Sequence, residues 1–143
     1  MDVYGKSDKI EETVNMLNTI NDKTALHYTQ QEAVFARNHL MIVICFGNAT
    51  RASNLINITL DDVKNIERDL EYDAYSLSSS FYKTSSLYGE KKILLGEDLY
   101  KQVIAYMKYL RPKIIRDQEK KLSERYLFTS TRNNGRMNTC IIS

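Results

Sequence analysis

The feature that most constrains this chain is a seven-residue apolar run, Leu40 to Phe46, with a helix-start signal ahead of it and a small-residue turn behind it. Thr29-Gln30-Gln31-Glu32 has the Thr-x-x-Glu spacing in which two side chains satisfy the free amides of a helix's first turn. The helix it opens is amphipathic at first, with Arg37, Asn38 and His39 on its wet side, and apolar all round past Leu40. A helix apolar on every side belongs at the centre of a core. Gly47-Asn48-Ala49-Thr50 then turns the chain, and a single arginine, Arg51, follows at once. Leu55, Ile56 and Ile58 return to the core. Thr59 is placed to cap a short helix with Asp61 and Asp62 in its first turn, where carboxylates suit the positive end of the helix dipole. That arrangement pins the Arg51 guanidinium between two buried elements.

The rest of the chain reads as one mainly helical α+β domain, residues 1–143, behind a flexible polar leader over residues 1–8. Ile10, Val14, Leu17 and Ile20 recur at helical spacing, and Asn21-Asp22 ends that helix. The expected helices lie near residues 10–21, 29–46, 51–57 and 97–110. Glu71 to Lys83, rich in Ser and Tyr, reads as a strand; Ser85 to Glu90 is a turn and Lys91 to Leu95 the return strand of a small antiparallel sheet. Leu99, Val103, Ile104, Met107 and Leu110 face inward from the last helix, which Pro112 closes. Arg111 to Glu124 is either a loop or a short helix, and Tyr126-Leu127-Phe128 re-enters the core.

Formal net charge is only +2, but residues 1–82 carry 7 Lys/Arg against 12 Asp/Glu and residues 83–143 carry 13 against 6. The basic part suits nucleic-acid phosphates, or is a solvated helix face plus a loop. Two cysteines, Cys45 and Cys140, make no disulfide framework, and Cys45 is a small core residue. The two histidines are too far apart for a zinc site, the five glycines form no phosphate loop, and no metal or cofactor is expected. Seven apolar residues in a row fall far short of a membrane span, and the N-terminus has no signal-peptide character, so an intracellular location fits.

The stretch from Gly47 to Val63 resembles the first active-site motif of the tyrosine recombinase (phage integrase) superfamily, with Arg51, Ser53, Leu55, Ile58, Asp62 and Val63 in register. Phe81-Tyr82-Lys83-Thr84-Ser85-Ser86-Leu87-Tyr88-Gly89 is similar to the recombinase-like domains of eukaryotic Crypton-type mobile elements. The resemblance spans about Thr29 to Phe128 and rests on the order and spacing of several motifs. It implies the fold of the N-terminal half of a recombinase catalytic domain, double-stranded DNA as partner, and the nucleus as location if the source is eukaryotic.

In that family two arginines and an imidazole hold the phosphoryl oxygens, a hairpin lysine protonates the leaving oxygen, and a tyrosine attacks. Guanidinium suits the task because it donates two parallel hydrogen bonds to adjacent oxygens. The resemblance places Arg51 as the first arginine and Lys83 as the general acid, with Lys91 or Lys92 as runner-up; Arg51, Lys83, Lys91 and Lys92 form the expected DNA contact set. The departures are specific. The acidic residue expected three after the arginine is Asn54, and His-x-x-Arg is absent, since His27 precedes Tyr-Thr-Gln and His39 precedes Leu-Met-Ile. No tyrosine aligns with the nucleophile, and Ser143 falls about where the second half of the domain would begin. The expectation is therefore a catalytically incomplete, DNA-binding piece of a transposon-derived recombinase, monomeric as it stands, with weak DNA binding. The alternative is a domesticated module with a protein partner and no DNA. By spacing alone Arg51 equally caps a carbonyl or pairs with Asp61 or Asp62, and Lys83 equally is a solvated strand-end lysine. Tyr100, Tyr106 and Tyr109 suit a core edge better than a base-stacking platform.

Overall fold

The computed structural model describes residues 2–48, 52–78, 92–115 and 126–129. Helix α1 spans Asp2–Thr19, so helical backbone covers the stretch expected as a leader. That stretch contains no proline, and adding residues to an existing helix costs far less than nucleating one. The buried face of α1 is Thr13, Met16 and Leu17, continued by Ile20, while Ile10 is 45% exposed. The face is thus rotated from the expected one. It tolerates Thr13 because the hydroxyl donates to the Lys9 carbonyl at 2.8 Å. Asn21 then stops the helix: its side-chain oxygen accepts from the amides of Lys23 and Thr24 at 2.9 and 3.0 Å, opening a 3-10 turn over Thr24–His27.

Helix α2, Gln30–Asn48, begins as its sequence signal requires. The Thr29 amide donates to the Glu32 carboxylate at 3.1 Å, and the Glu32 amide donates to the Thr29 hydroxyl at 3.2 Å. Ala33, Ala36, Leu40, Met41 and Ile44 fill the core from this helix. Two features of α2 depart from expectation. Arg37 is buried rather than wet, and the apolar stretch past Leu40 is not enclosed on every side: Ile42, Val43 and Phe46 are 44%, 37% and 85% exposed.

Two short helices follow, α3 at Ala52–Leu55 and α4 at Leu60–Lys64. Leu55, Ile56 and Ile58 are buried as expected, and Thr59 and Asp62 form a second complete capping box. The sheet has three antiparallel strands in the order β1 (Glu67–Asp69), β2 (Ala74–Ser78), β3 (Lys92–Leu95). β1 pairs Arg68 with Tyr75, and β2 pairs Leu77 with Ile93. The hairpin between β1 and β2 turns on Asp73, at φ 49, a left-handed conformation that Asp adopts more readily than most residues. Asp69 accepts from the amides of Glu71 and Tyr72, and Arg68 forms an ion pair with Asp73. The strand expected from Glu71 begins at Ala74 because Leu70 to Asp73 is this turn; its expected end at Lys83 lies outside the described residues.

Helix α5, Glu97–Ala105, runs into a π-helical turn, Tyr106–Leu110, and on into α6, Arg111–Ile114. Pro112 therefore does not close the helix. It sits in the first turn of α6, where a residue without an N–H is tolerated, and the wider turn before it absorbs the lost hydrogen bond. Residues 126–129 return to the core: the Leu127 amide donates to the Ile58 carbonyl at 3.0 Å, and Leu127 and Phe128 are fully buried. The Phe128 ring lies 5.8 Å from that of Tyr106. The molecule is mainly helical with a small antiparallel sheet, an α+β arrangement.

Candidate nucleic-acid interface

Arg51, Lys83 and Lys91 lie outside the described residues, and Lys92 is described by its backbone, as the first residue of β3 opposite Ser78. What the fold defines is the frame these positions leave from. Asn48, the last residue of α2, turns its side chain onto β3. Its amide nitrogen donates to the Leu94 carbonyl at 3.1 Å, and its oxygen accepts from the Leu94 amide at 2.8 Å. The same nitrogen donates to the Ile44 carbonyl at 3.1 Å, one turn back in the helix. The C-terminus of α2 and the middle of β3 are thereby fastened together. Arg51 stands three residues after one of these anchors; Lys91 and Lys92 stand three and two residues before the other.

Asn48 was not singled out from the sequence, where it is one polar residue of a small-residue turn. Its partner is 46 positions away, and nothing local announces a carboxamide that will complete the pairing of a distant strand. Downstream of the Arg51 position, Leu55, Ile56 and Ile58 anchor the chain in the core. Asp62 commits one carboxylate oxygen to the Thr59 amide at 3.0 Å.

Two other arginines face inward. Arg37 donates to the Thr129 carbonyl at 2.8 Å and, through two nitrogens, to the side-chain oxygen of Asn38 at 3.0 and 3.1 Å. Burial pushes its guanidinium below the usual range, partly offset by the Tyr106 phenol. Arg111, 5% exposed, donates to the Tyr126 carbonyl at 2.8 Å. Both therefore hold the backbone of residues 126–129. Arg37 is bound up with internal acceptors and is not presented to a phosphate. The Tyr106 hydroxyl and the Thr129 hydroxyl are buried beside this cluster. Burial drives the Tyr106 phenol well above its ordinary value, so it stays protonated.

On the sheet face that also carries Leu77, Ile93 and Leu95, Tyr75 and Tyr100 stack at 3.9 Å with their planes 10° apart, and the Arg68 guanidinium lies 5.0 Å from the Tyr75 ring. Tyr100 is thus used in packing α5 on the sheet rather than left free to stack on a base. Among the described residues no group of three or more His, Cys, Asp or Glu side chains is placed to hold a metal, and no helix is long and apolar enough to cross a membrane. No family model, curated protein or solved structure matches this chain.

Proposed function

We propose that the chain is a DNA-binding module of tyrosine recombinase type, catalytically incomplete by itself, which meets duplex DNA through Arg51, Lys83, Lys91 and Lys92. The observation that carries this is the double hydrogen bond between Asn48 and Leu94, which ties together the two chain points flanking Arg51 and Lys91-Lys92. A phosphate contact set drawn from distant parts of a sequence needs such a fixed frame, because positioning rather than charge alone makes several cations converge. Titration of a labelled duplex at two salt concentrations tests it. Binding should be sequence-tolerant, with log affinity falling by about 0.9 per phosphate contact per log unit of salt. Arg51→Ala combined with Lys83→Ala should abolish it; unchanged binding, or none at low salt, overturns the proposal.

The chain should not cut DNA. Its sequence supplies one of the family's two arginines, no His-x-x-Arg, and no tyrosine aligned with the nucleophile. Loss of one placed electrostatic donor costs about a hundred- to a thousand-fold in rate, and groups acting as a unit fail together. Denaturing electrophoresis after incubation with a nicked suicide duplex should show no covalent adduct; an adduct that Arg51→Ala removes would reverse this expectation.

A second function, a protein-interaction module, is favoured by a different observation: Phe35, Ile42, Val43 and Phe46 on α2 are all more than a third exposed. Apolar side chains grouped on one helix mark a contact surface more often than chance exposure does.

A further inference from the structure

Helix α2 carries two apolar faces. The core takes Ala33, Ala36, Leu40, Met41 and Ile44; on the opposite side Phe35, Ile42 and Phe46 line up with His39 among them. The intervals 35, 39, 42, 46 are four, three and four residues, the rhythm by which one helix packs along another. Beside the Phe35 end, α1 and α2 form a groove of about 790 Å³ lined by Met16, Val34 and Phe35 and by polar side chains that include Lys9, Glu12 and Glu32. At the other end Phe46 projects, 85% exposed. Knob and groove sit on one helix, eleven residues or about 16 Å apart.

We propose that this face binds a second copy of the chain, α2 against α2, antiparallel about a two-fold axis, with Phe46 of each copy seated in the groove of the other. Three features select a second copy and this direction. A knob and a groove on one surface, displaced along one axis, close into a pair only when the helices oppose, and each contact is then made twice. Antiparallel alignment sets Phe35 against Phe46 and His39 against Ile42, so aromatic meets aromatic and the polar ring has an apolar neighbour. Charge agrees along the helix: Arg37 is buried, and the line Phe35, His39, Ile42 and Phe46 contains no carboxylate or ammonium, while Glu32, in its capping box, stands at the groove with Lys9 and Glu12. The Lys9 ammonium, 5.9 Å from the Phe35 ring, would meet the negative end of the opposing helix. Parallel alignment would instead stack His39 on His39 and leave both grooves unfilled. This association does not rest on DNA binding, and it departs from the monomer expected from the sequence.

Sedimentation equilibrium on the full chain tests the pairing. A monomer–dimer equilibrium is expected, and Phe46→Glu, which leaves the core untouched, should weaken it by at least about 30-fold, as for a buried aromatic anchor. Circular dichroism should show the same helix content in the variant. On a Cys45→Ala, Cys140→Ser background, a mixture of Phe35→Cys and Phe46→Cys proteins should form the mixed disulfide dimer, while neither alone does. A monomer at every soluble concentration overturns the proposal, as does a dimer insensitive to Phe46→Glu. Crosslinking of either single-cysteine protein to itself overturns the antiparallel arrangement.

Discussion

At Asn48 one carboxamide uses both of its hydrogen-bonding ends on Leu94 and adds a bond to Ile44. No other side chain of similar size makes this possible: leucine offers neither group, and aspartate offers acceptors alone and would set a carboxylate against the Leu94 carbonyl. Asn48→Leu should therefore lower stability by about 1–3 kcal/mol, the range for losing partly buried amide hydrogen bonds. Urea unfolding measures it, and exchange of the Leu94 amide should accelerate more than that of Leu127. If the Asn48 frame organises the cations, DNA affinity falls in parallel. His39 gives a separate, pH-dependent expectation. Burial depresses its pKa in the folded state, so the unfolded chain binds the proton more readily. Stability is thus fully present above the unfolded value near pH 6.5 and is lost as pH falls from there through the lower folded value. Melting temperature recorded from neutral to mildly acidic pH should drop more steeply for the natural chain than for His39→Gln.

Among elements, those announced by side chains acting on their own neighbourhood were legible. Both capping boxes, Thr29 with Glu32 and Thr59 with Asp62, need no partner beyond three residues, and the helices start where they place them. The strand β1 was not legible. Glu67-Arg68-Asp69 has no apolar alternation, because an edge strand with one neighbour needs none, and its pairing is set by the Asp73 turn and by β2. Pro112 misled for a related reason: a proline stops a regular helix, but a π turn directly before it supplies the room for the chain to continue. The capping boxes also differ in depth. Thr59 lies in partly buried surroundings and Thr29 in exposed ones, so water replaces a lost bond more easily at Thr29. Thr59→Ala should cost about 1–2 kcal/mol and Thr29→Ala about 0.5–1 kcal/mol. Equal values from thermal or urea unfolding would show that burial does not govern the two caps.

For the molecule as a whole, the sequence puts Arg37 on the wet side of a helix and Arg111 at the start of a highly charged stretch, whereas the described fold uses both as internal fasteners. The reason is visible in what each one meets. Residues 126–129 enter the core with Tyr126 bridged to Thr59 and the Leu127 amide bonded to the Ile58 carbonyl, and arginine side chains meet the Tyr126 and Thr129 carbonyls. A long side chain with several donors can reach such carbonyls from a helix, and no local pattern reveals that it will; Arg37 and Thr129 are 92 positions apart. Arg37→Met tests this, since methionine fills similar space without donating. The Thr129 carbonyl would be left without the guanidinium in a residue with no exposure, a loss of about 1–3 kcal/mol. Arg37→Lys retains one donor on a shorter reach and should lie between the two. The effect should also be local. In native-state hydrogen exchange the Leu127 amide, bonded to Ile58, should lose protection in Arg37→Met well before the Leu94 amide does. A uniform loss across both amides would mean that Arg37 supports the fold globally rather than holding this segment in place.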